Sequence, residues 1–174
     1  VGMSTVGRGP AASLTGPGFA LFGHCSVVFA SDGGIMEGVS HEAASLAGHL
    51  ALSNLCWIYD SNHITIEGST EITFTEDVGK RFVAYGWNVI HVDDANDCEA
   101  MAAALASFKA TTDRPTFIVV HSVIGWGRPR AGREKAHGQP LGAAHARPTN
   151  HAHGRPGAHP FLVPEGVAEP FGAS

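Results

Sequence analysis

Residues 26–62 read SVVFASDGGIMEGVSHEAASLAGHLALSNLCWIYDSN, and this stretch decides the fold. It begins with a β-branched apolar run, SVVFAS (26–31), and closes on a second one, LCWIYDS (55–61). Between the two runs, from Gly38 to Leu52, apolar side chains recur with the period of an α-helix. The order strand, helix, strand predicts a right-handed parallel crossover. The apolar face predicted for the helix consists of Val39, Ala43, Leu46 and Leu50.

The same alternation continues beyond this unit. Two further runs of strand length are WNVIHVD (87–93) and PTFIVVHSV (115–123). The helix that precedes WNVIHVD is predicted to have Thr75 as its N-cap and to stop at Gly86. Another helix is predicted over 97–109. Four strands separated by helices predict an α/β fold, with one parallel sheet covered by helices on both faces.

The two ends of the chain differ from this middle part. Residues 1–25 contain glycine and proline breaks and leave room for one short helix. Residues 143–159 contain alanine as their only apolar side chain, so we expect an irregular or disordered segment there. A short apolar patch follows at 160–171. We therefore predict a domain at 1–142 and an irregular tail at 143–174.

The composition excludes several classes of protein. A hydrophobic content of 44% with 16% charged residues is ordinary for a soluble globular chain. The net charge of −5 gives no reason to expect nucleic acid or an anionic membrane as a partner. No apolar run approaches the roughly 20 residues that a membrane helix needs. The three cysteines show no CxxC spacing, so we predict free thiols and a cytoplasmic location.

Asp32 and Asn62 directly follow two consecutive predicted strands. The carboxyl ends of parallel strands lie at one edge of a sheet, where ligands collect. The glycines Gly33 and Gly34 let backbone amides approach an anion such as a diphosphate, next to the start of a helix. Asp32, the Asn62 side-chain oxygen and a backbone carbonyl are hard oxygen ligands that suit Mg²⁺ or Ca²⁺. The alternative is that both residues mark ordinary turns.

Segments around these residues resemble the transketolase family, in its thiamine diphosphate-binding domain. The thiamine-enzyme signature is Gly-Asp-Gly followed some thirty residues later by Asn, and here it reads Ser31-Asp32-Gly33 and Asn62. Serine thus replaces the first glycine. The blocks EGVSHEAASLAGHL (37–50) and HGQPLG (137–142) are more specific, and they separate transketolase from deoxyxylulose-phosphate synthase. Further matching segments are YDSNHITIEG (59–68), EDVGKRFVAYGWNVI (76–90), IGWG (124–127) and, more weakly, PFLVPEGV (160–167).

The resemblance implies a site for thiamine diphosphate and a divalent metal, Mg²⁺ or Ca²⁺. Asp32, Asn62 and the carbonyl of Ile64 would hold the metal. The remaining cofactor contacts would come from Gly33 at the diphosphate and from Ile66 and Ile124 against the thiamine rings.

Three further residues are implied to take part in binding or catalysis. His137 would lie near the diphosphate and the reacting carbon; without the resemblance it would be read as a surface histidine. Glu37 would contact the cofactor region and act in catalysis. Glu37 and Glu42 match acidic residues that link the active sites across the family's dimer interface. The alternative is that both are acids favoured near a helix N terminus.

The implied activity is transfer of a two-carbon ketol unit from a ketose, or from hydroxypyruvate, to an aldehyde acceptor. Its substrates would be sugars and sugar phosphates. The family also has pyrimidine-binding and C-terminal domains that these 174 residues do not contain, so we interpret the chain as a truncated form. The alternative function is a non-catalytic thiamine diphosphate-binding module, or a subunit that needs a pyrimidine-domain partner in trans.

Truncation of the sheet predicts an exposed apolar surface. We expect this surface around Val27, Phe29, Trp57 and Tyr59. Such a patch favours self-association. We therefore predict an oligomer, most simply a homodimer, or a complex with a partner chain.

Overall fold

The computed structural model describes residues 1–8, 23–155 and 163–167, and its centre is a parallel sheet of four strands. The strands of the sheet are β1 (Ser26–Ser31), β2 (Leu55–Ser61), β5 (Asn88–Val92) and β6 (Thr116–His121), and a small antiparallel hairpin is formed by β3 (Ile64–Thr65) and β4 (Gly68–Ser69). The strands of the sheet lie in the order β1-β2-β6-β5, and each neighbouring pair is parallel. This arrangement confirms the predicted α/β fold.

Helices connect the strands as predicted. Within the described residues, no helix has the length and apolar character needed to cross a membrane. The helices are α1 (Gly2–Arg8), α2 (Asp32–Met36), α3 (Gly38–His49), α4 (Val78–Ala84), α5 (Cys98–Ala110), α6 (Lys135–Gly138) and α7 (Ala143–Ala152), with a 3₁₀ turn at Thr70–Ile72.

Both faces of the sheet carry a hydrophobic core. On one face α2, α3 and α4 pack against the strands, and Phe82 of α4 stacks on Phe117 of β6 at a centroid distance of 3.6 Å. On the other face α5 covers β2, β5 and β6 through Ala104 and Phe108. Because successive strand residues point to opposite faces, β2 supplies Trp57 and Tyr59 to the first core. The prediction of helices on both faces is therefore confirmed.

The buried face of α3 differs from the predicted one. Val39, Leu46 and Leu50 are exposed, whereas Ala44 and Ala47 are fully buried. The helix approaches its neighbours too closely for leucine-sized side chains on that face, so its alanines pack inward. Of the predicted apolar face, Ala43 is confirmed, because it packs half-buried against the core, whereas Val39, Leu46 and Leu50 are wrong. A period of 3.6 residues does not show which of two faces is inside.

Helix α4 begins two residues later than predicted. Its N-cap is Asp77, whose carboxylate accepts a hydrogen bond from the backbone N–H of Lys80 at 2.9 Å. This bond and the Lys80 side chain lower the pKa of Asp77. The predicted N-cap Thr75 lies outside the helix. The predicted stop is confirmed, because Gly86 has a φ of +84°, which a glycine adopts without strain.

The segment after residue 142 is more regular than predicted. Helix α7 occupies part of 143–159, so the prediction of an irregular segment is wrong there. None of its residues is buried. Four of its ten residues are alanines, which favour a helix, but Pro148 lies inside it and disfavours one, so local propensity alone does not explain the helix. Of the predicted apolar patch at 160–171, the structure describes 163–167, and these residues are exposed; the rest lies outside the described residues.

The predicted exposed patch is half correct. Val27 and Phe29 of β1 are exposed, Phe29 with 82% of its surface accessible. Trp57 and Tyr59 are buried instead, because they face the side of the sheet that α4 covers. Val27 and Phe29 pair in register with Cys56 and Ile58, so they lie on the face of the sheet opposite to Trp57 and Tyr59. The edge strand β1 therefore presents one apolar face that the described residues leave uncovered.

Candidate functional site

The site lies at the carboxyl ends of β1 and β2. Ser31 is the last residue of β1, and its hydroxyl accepts a hydrogen bond from the backbone N–H of Gly34 at 3.4 Å, which makes it the N-cap of α2. Ser31 pairs in register with Asp60 of β2. The residues that follow the two strands therefore converge, and the serine that replaces a glycine of the signature has a local structural role.

The Asp32 carboxylate is the most buried charged group of the site. Only 1% of Asp32 is exposed. Its Oδ1 accepts a hydrogen bond from the Tyr59 hydroxyl at 2.5 Å, and its Oδ2 accepts from the backbone N–H groups of Asn62 at 3.3 Å and His63 at 2.9 Å. Within the described ranges no lysine or arginine forms an ion pair with it. A buried carboxylate without a cationic neighbour suits a bound cation.

Asn62 is held beside this carboxylate by the turn after β2. Its Oδ1 accepts a hydrogen bond from the backbone N–H of Ile64 at 3.0 Å, so the side chain closes its own turn. His63 in the middle of the turn has a φ of +59°. The amide oxygen still has a second lone pair. The structure therefore links Asn62 to Asp32 and Ile64 to Asn62 by hydrogen bonds, and the role of these three residues as metal ligands stays a prediction.

The donor set at this point fits a hard divalent cation. In the described part of the chain, no group of three or more His, Cys, Asp and Glu residues is placed to hold a metal. A cation here would therefore rely on one carboxylate supplemented by amide and backbone carbonyl oxygens. Oxygen ligands of this kind match Mg²⁺ and Ca²⁺ better than zinc or copper.

Gly33 leaves open space next to Asp32. A Cβ added at Gly33 would meet no atom within 4 Å. No packing requirement within the described residues therefore explains a glycine at this position. A ligand that approaches the backbone would explain it.

The other residues implied by the resemblance form no hydrogen bond with Asp32 or Asn62 in the described part of the chain. Ile66 lies at the turn of the β3–β4 hairpin with 65% of its surface exposed, and Ile124 is half-buried after β6. His137 is exposed in α6. Glu37 and Glu42 are exposed, and Glu37 is the N-cap residue of α3 without a side-chain capping bond.

Tyr59 is a residue of the site that the sequence analysis missed. Its ring is buried in β2, and its hydroxyl is bound to Asp32. Burial first, and then the hydrogen bond to Asp32, raise the pKa of the Tyr59 phenol well above its ordinary value. A tyrosine in a buried strand needs a partner for its hydroxyl, and this need was the signal available in LCWIYDS.

Arg81 connects the site to α4. Its guanidinium donates to the backbone carbonyl of Ile35 at 3.4 Å, contacts the ring of His41 at 2.9 Å and forms an ion pair with Glu76. Ile35 lies in α2, directly after the two glycines. Arg81 therefore fixes the junction of α2 and α3, at which Glu37 lies.

A cavity of about 400 Å³ opens at the same edge of the sheet. The rings of His63 and His121 stack there at 6.3 Å. Tyr59 lines this cavity, whereas none of the residues implied to hold the cofactor does so. The cavity thus adjoins the group around Asp32, because Tyr59 and His63, which line it, both donate hydrogen bonds to the Asp32 carboxylate.

Comparison with known proteins places this geometry in a family. The profile of the family described as "Transketolase, thiamine diphosphate binding domain" matches residues 1–174. A transketolase of Geobacillus stearothermophilus is 44% identical over 175 residues, which is 100% of this chain and 26% of the relative. A transketolase of Streptococcus pyogenes serotype M6 is 49% identical over 143 residues, 82% of this chain and 20% of the relative.

Solved structures agree with these sequences. A transketolase structure from Pichia stipitis superposes with a TM-score of 0.93 at 39% identity, covering 98% of this chain and 25% of that one. A structure titled "Transketolase from Leishmania mexicana" gives a TM-score of 0.91 at 41% identity, with 94% and 25% coverage. The chain spans about a quarter of the length of the relatives it matches. By sequence and by fold, this chain belongs to the transketolase family and corresponds to its thiamine diphosphate-binding domain.

Proposed function

We propose that this chain binds thiamine diphosphate together with a divalent cation and serves transketolase-type transfer of a two-carbon ketol unit. The observation that carries the proposal is the buried Asp32 carboxylate, which accepts a hydrogen bond from the backbone N–H of Asn62 and has no ion-pair partner among the described residues. Asp32, Asn62 and the Ile64 carbonyl would hold Mg²⁺, or Ca²⁺ in its place. The open space at Gly33 would admit the diphosphate.

The other residues would act around the cofactor. Bound thiamine diphosphate supplies the carbon nucleophile for two-carbon transfer from a ketose or hydroxypyruvate to an aldehyde. Ile66 and Ile124 would exclude water from the thiamine rings. His137 would donate hydrogen bonds at the diphosphate. Glu37, which precedes α3, and Glu42 within it are both exposed and would meet the matching surface of a second subunit.

A second candidate function has its own support. The candidate is a cofactor-binding module that would act together with a pyrimidine-binding domain supplied by another chain. Deprotonation of the cofactor needs an acid–base partner, and in this account that partner comes from the other domain. Exposed Phe29 and Val27 provide an apolar surface on which such a chain, or a second copy in a homodimer, would assemble.

A two-carbon transfer assay separates these functions. The chain would be given hydroxypyruvate and a sugar-phosphate aldehyde, with thiamine diphosphate and Mg²⁺, first alone and then with a separately produced transketolase pyrimidine-binding domain. Turnover by the chain alone supports a complete enzyme, and turnover only after the addition supports the module. Absence of turnover in both arms, with cofactor binding intact, would leave only a binding role. Sedimentation of the chain alone tests the homodimer, and a monodisperse monomer would contradict it.

A further inference from the structure

We propose that Tyr59 is a positioning residue for the metal site: its phenol holds the Asp32 carboxylate in the orientation that a divalent cation requires. This inference rests on the proposed function, because it concerns how the same cation would be held. It assigns a role to a side chain that neither coordinates the cation nor belongs to the signature around Asp32 and Asn62.

The ring of Tyr59 is fixed by the sheet. Tyr59 pairs in register with Ala30 of β1 on one side and with Val119 of β6 on the other. Only 2% of the residue is exposed. Its ring stacks on Phe117 at a centroid distance of 5.7 Å and an interplanar angle of 18°. The central strands therefore determine the position of the phenol oxygen.

The hydroxyl uses this fixed position to hold one oxygen of the carboxylate. Tyr59 donates to Asp32 Oδ1 at 2.5 Å, while the N–H groups of Asn62 and His63 hold Oδ2. Rotation of the carboxylate about its Cβ–Cγ bond would break bonds at both oxygens. Because three of the roughly four lone pairs are used, the one that remains, on Oδ1, is presented in a fixed direction. Partners of this kind typically contribute 10- to 100-fold to metal affinity.

A purely structural role would give a different result. A buried tyrosine hydroxyl ordinarily finds some partner, and its loss then affects folding alone. Tyr59→Phe removes the hydroxyl but keeps the ring, so the stacking on Phe117 is preserved. The matched control is Tyr85→Phe, because Tyr85 is the other of the two tyrosines in the chain and its hydroxyl contacts His41 at 3.4 Å, away from Asp32.

The test is calorimetric titration of Mg²⁺ into the chain saturated with thiamine diphosphate. We expect Tyr59→Phe to weaken Mg²⁺ binding by about 10- to 100-fold, and Tyr85→Phe to leave it unchanged. Equal or tighter binding by Tyr59→Phe overturns the positioning role while the proposed function stands. Absence of Mg²⁺ binding by the wild-type chain overturns both.

A second measurement does not depend on the folding of the Tyr59 variant. The chain would be prepared with 3-fluorotyrosine, which gives one ¹⁹F resonance for each of the two tyrosines, assigned with Tyr85→Phe. Mg²⁺ binding in the presence of thiamine diphosphate is expected to shift the Tyr59 resonance and not that of Tyr85. A Tyr59 resonance that stays in place while Mg²⁺ binds would contradict the proposal.

Discussion

Gly48 of α3 lies directly against the backbone of Tyr85 at the end of α4. A Cβ built on Gly48 would overlap the Tyr85 carbonyl oxygen and come to 3.0 Å from the carbonyl carbon. Beside this contact, the indole N–H of Trp87 donates to the Ala44 carbonyl at 2.8 Å. The close approach of the two helices is what makes the small residues of α3 its buried face.

Gly48→Ala tests this packing. Alanine is favoured over glycine within a helix by about 1 kcal/mol, so a loss of stability means that the overlap with Tyr85 dominates. We expect a net loss of about 1–3 kcal/mol in the free energy of unfolding, measured in urea. Gly38→Ala in the same helix is the control, because a Cβ there meets no atom within 4 Å. A Gly48 variant as stable as the Gly38 variant would contradict the packing described.

Gly33→Ala tests whether the glycine at this position is needed for ligand binding or for the fold. Its Cβ would enter open space in α2, so the variant is expected to be as stable as the wild type or up to about 1 kcal/mol more stable. Thiamine diphosphate binding in Mg²⁺ is expected to weaken by about tenfold, equivalent to ~1.4 kcal/mol, because the methyl group would obstruct the diphosphate. Calorimetry and urea unfolding on one sample provide both values. Unchanged binding would refute a diphosphate contact at Gly33.

Stability is expected to fall in alkaline solution through Cys56. Burial, and then the proximity of Cys25, raise the pKa of this thiol to about 12 from 9.0. Between these values the unfolded chain has lost the proton that the folded chain retains, so the free energy of unfolding decreases as the pH rises above about 9. Urea midpoints at several pH values would measure the slope. Cys56→Ala should reduce the slope and leave the part that begins above about pH 10 with the raised pKa of Tyr59, whereas Cys98→Ala, at an exposed thiol, should not change it.

The sheet and the metal-ligand group could be predicted from the sequence for identifiable reasons. β-Branched runs such as SVVFAS have the length and flanks of strands, and parallel crossovers place the residues after β1 and β2 at one edge. Asp32 and Asn62 were therefore predicted to converge, and they do. The link between them through the backbone N–H groups of the turn requires coordinates, because it depends on the left-handed conformation of His63.

What could not be predicted depended on contacts between distant segments. In α3 Leu46 is exposed and Ala47 is buried, whereas hydrophobicity alone predicts that the leucine is the buried one. The reason is the approach of α4, which is far along the chain. Helix α7 was missed because its sequence has no apolar face and has Pro148 inside it, so composition does not indicate a helix there. The role of Tyr59 required knowledge of where its hydroxyl points.

The central claim is that Asp32 and Asn62 bind a cation for thiamine diphosphate, and the most direct test is calorimetry of thiamine diphosphate with and without Mg²⁺. The wild-type chain is expected to bind the cofactor only when Mg²⁺ is present. Asp32→Asn is expected to abolish this binding, while Asp60→Asn, at the nearby exposed carboxylate, retains it. Circular dichroism of each variant confirms that it is folded. Cofactor binding by the wild type that does not depend on Mg²⁺, or unaltered binding by Asp32→Asn, would contradict the account.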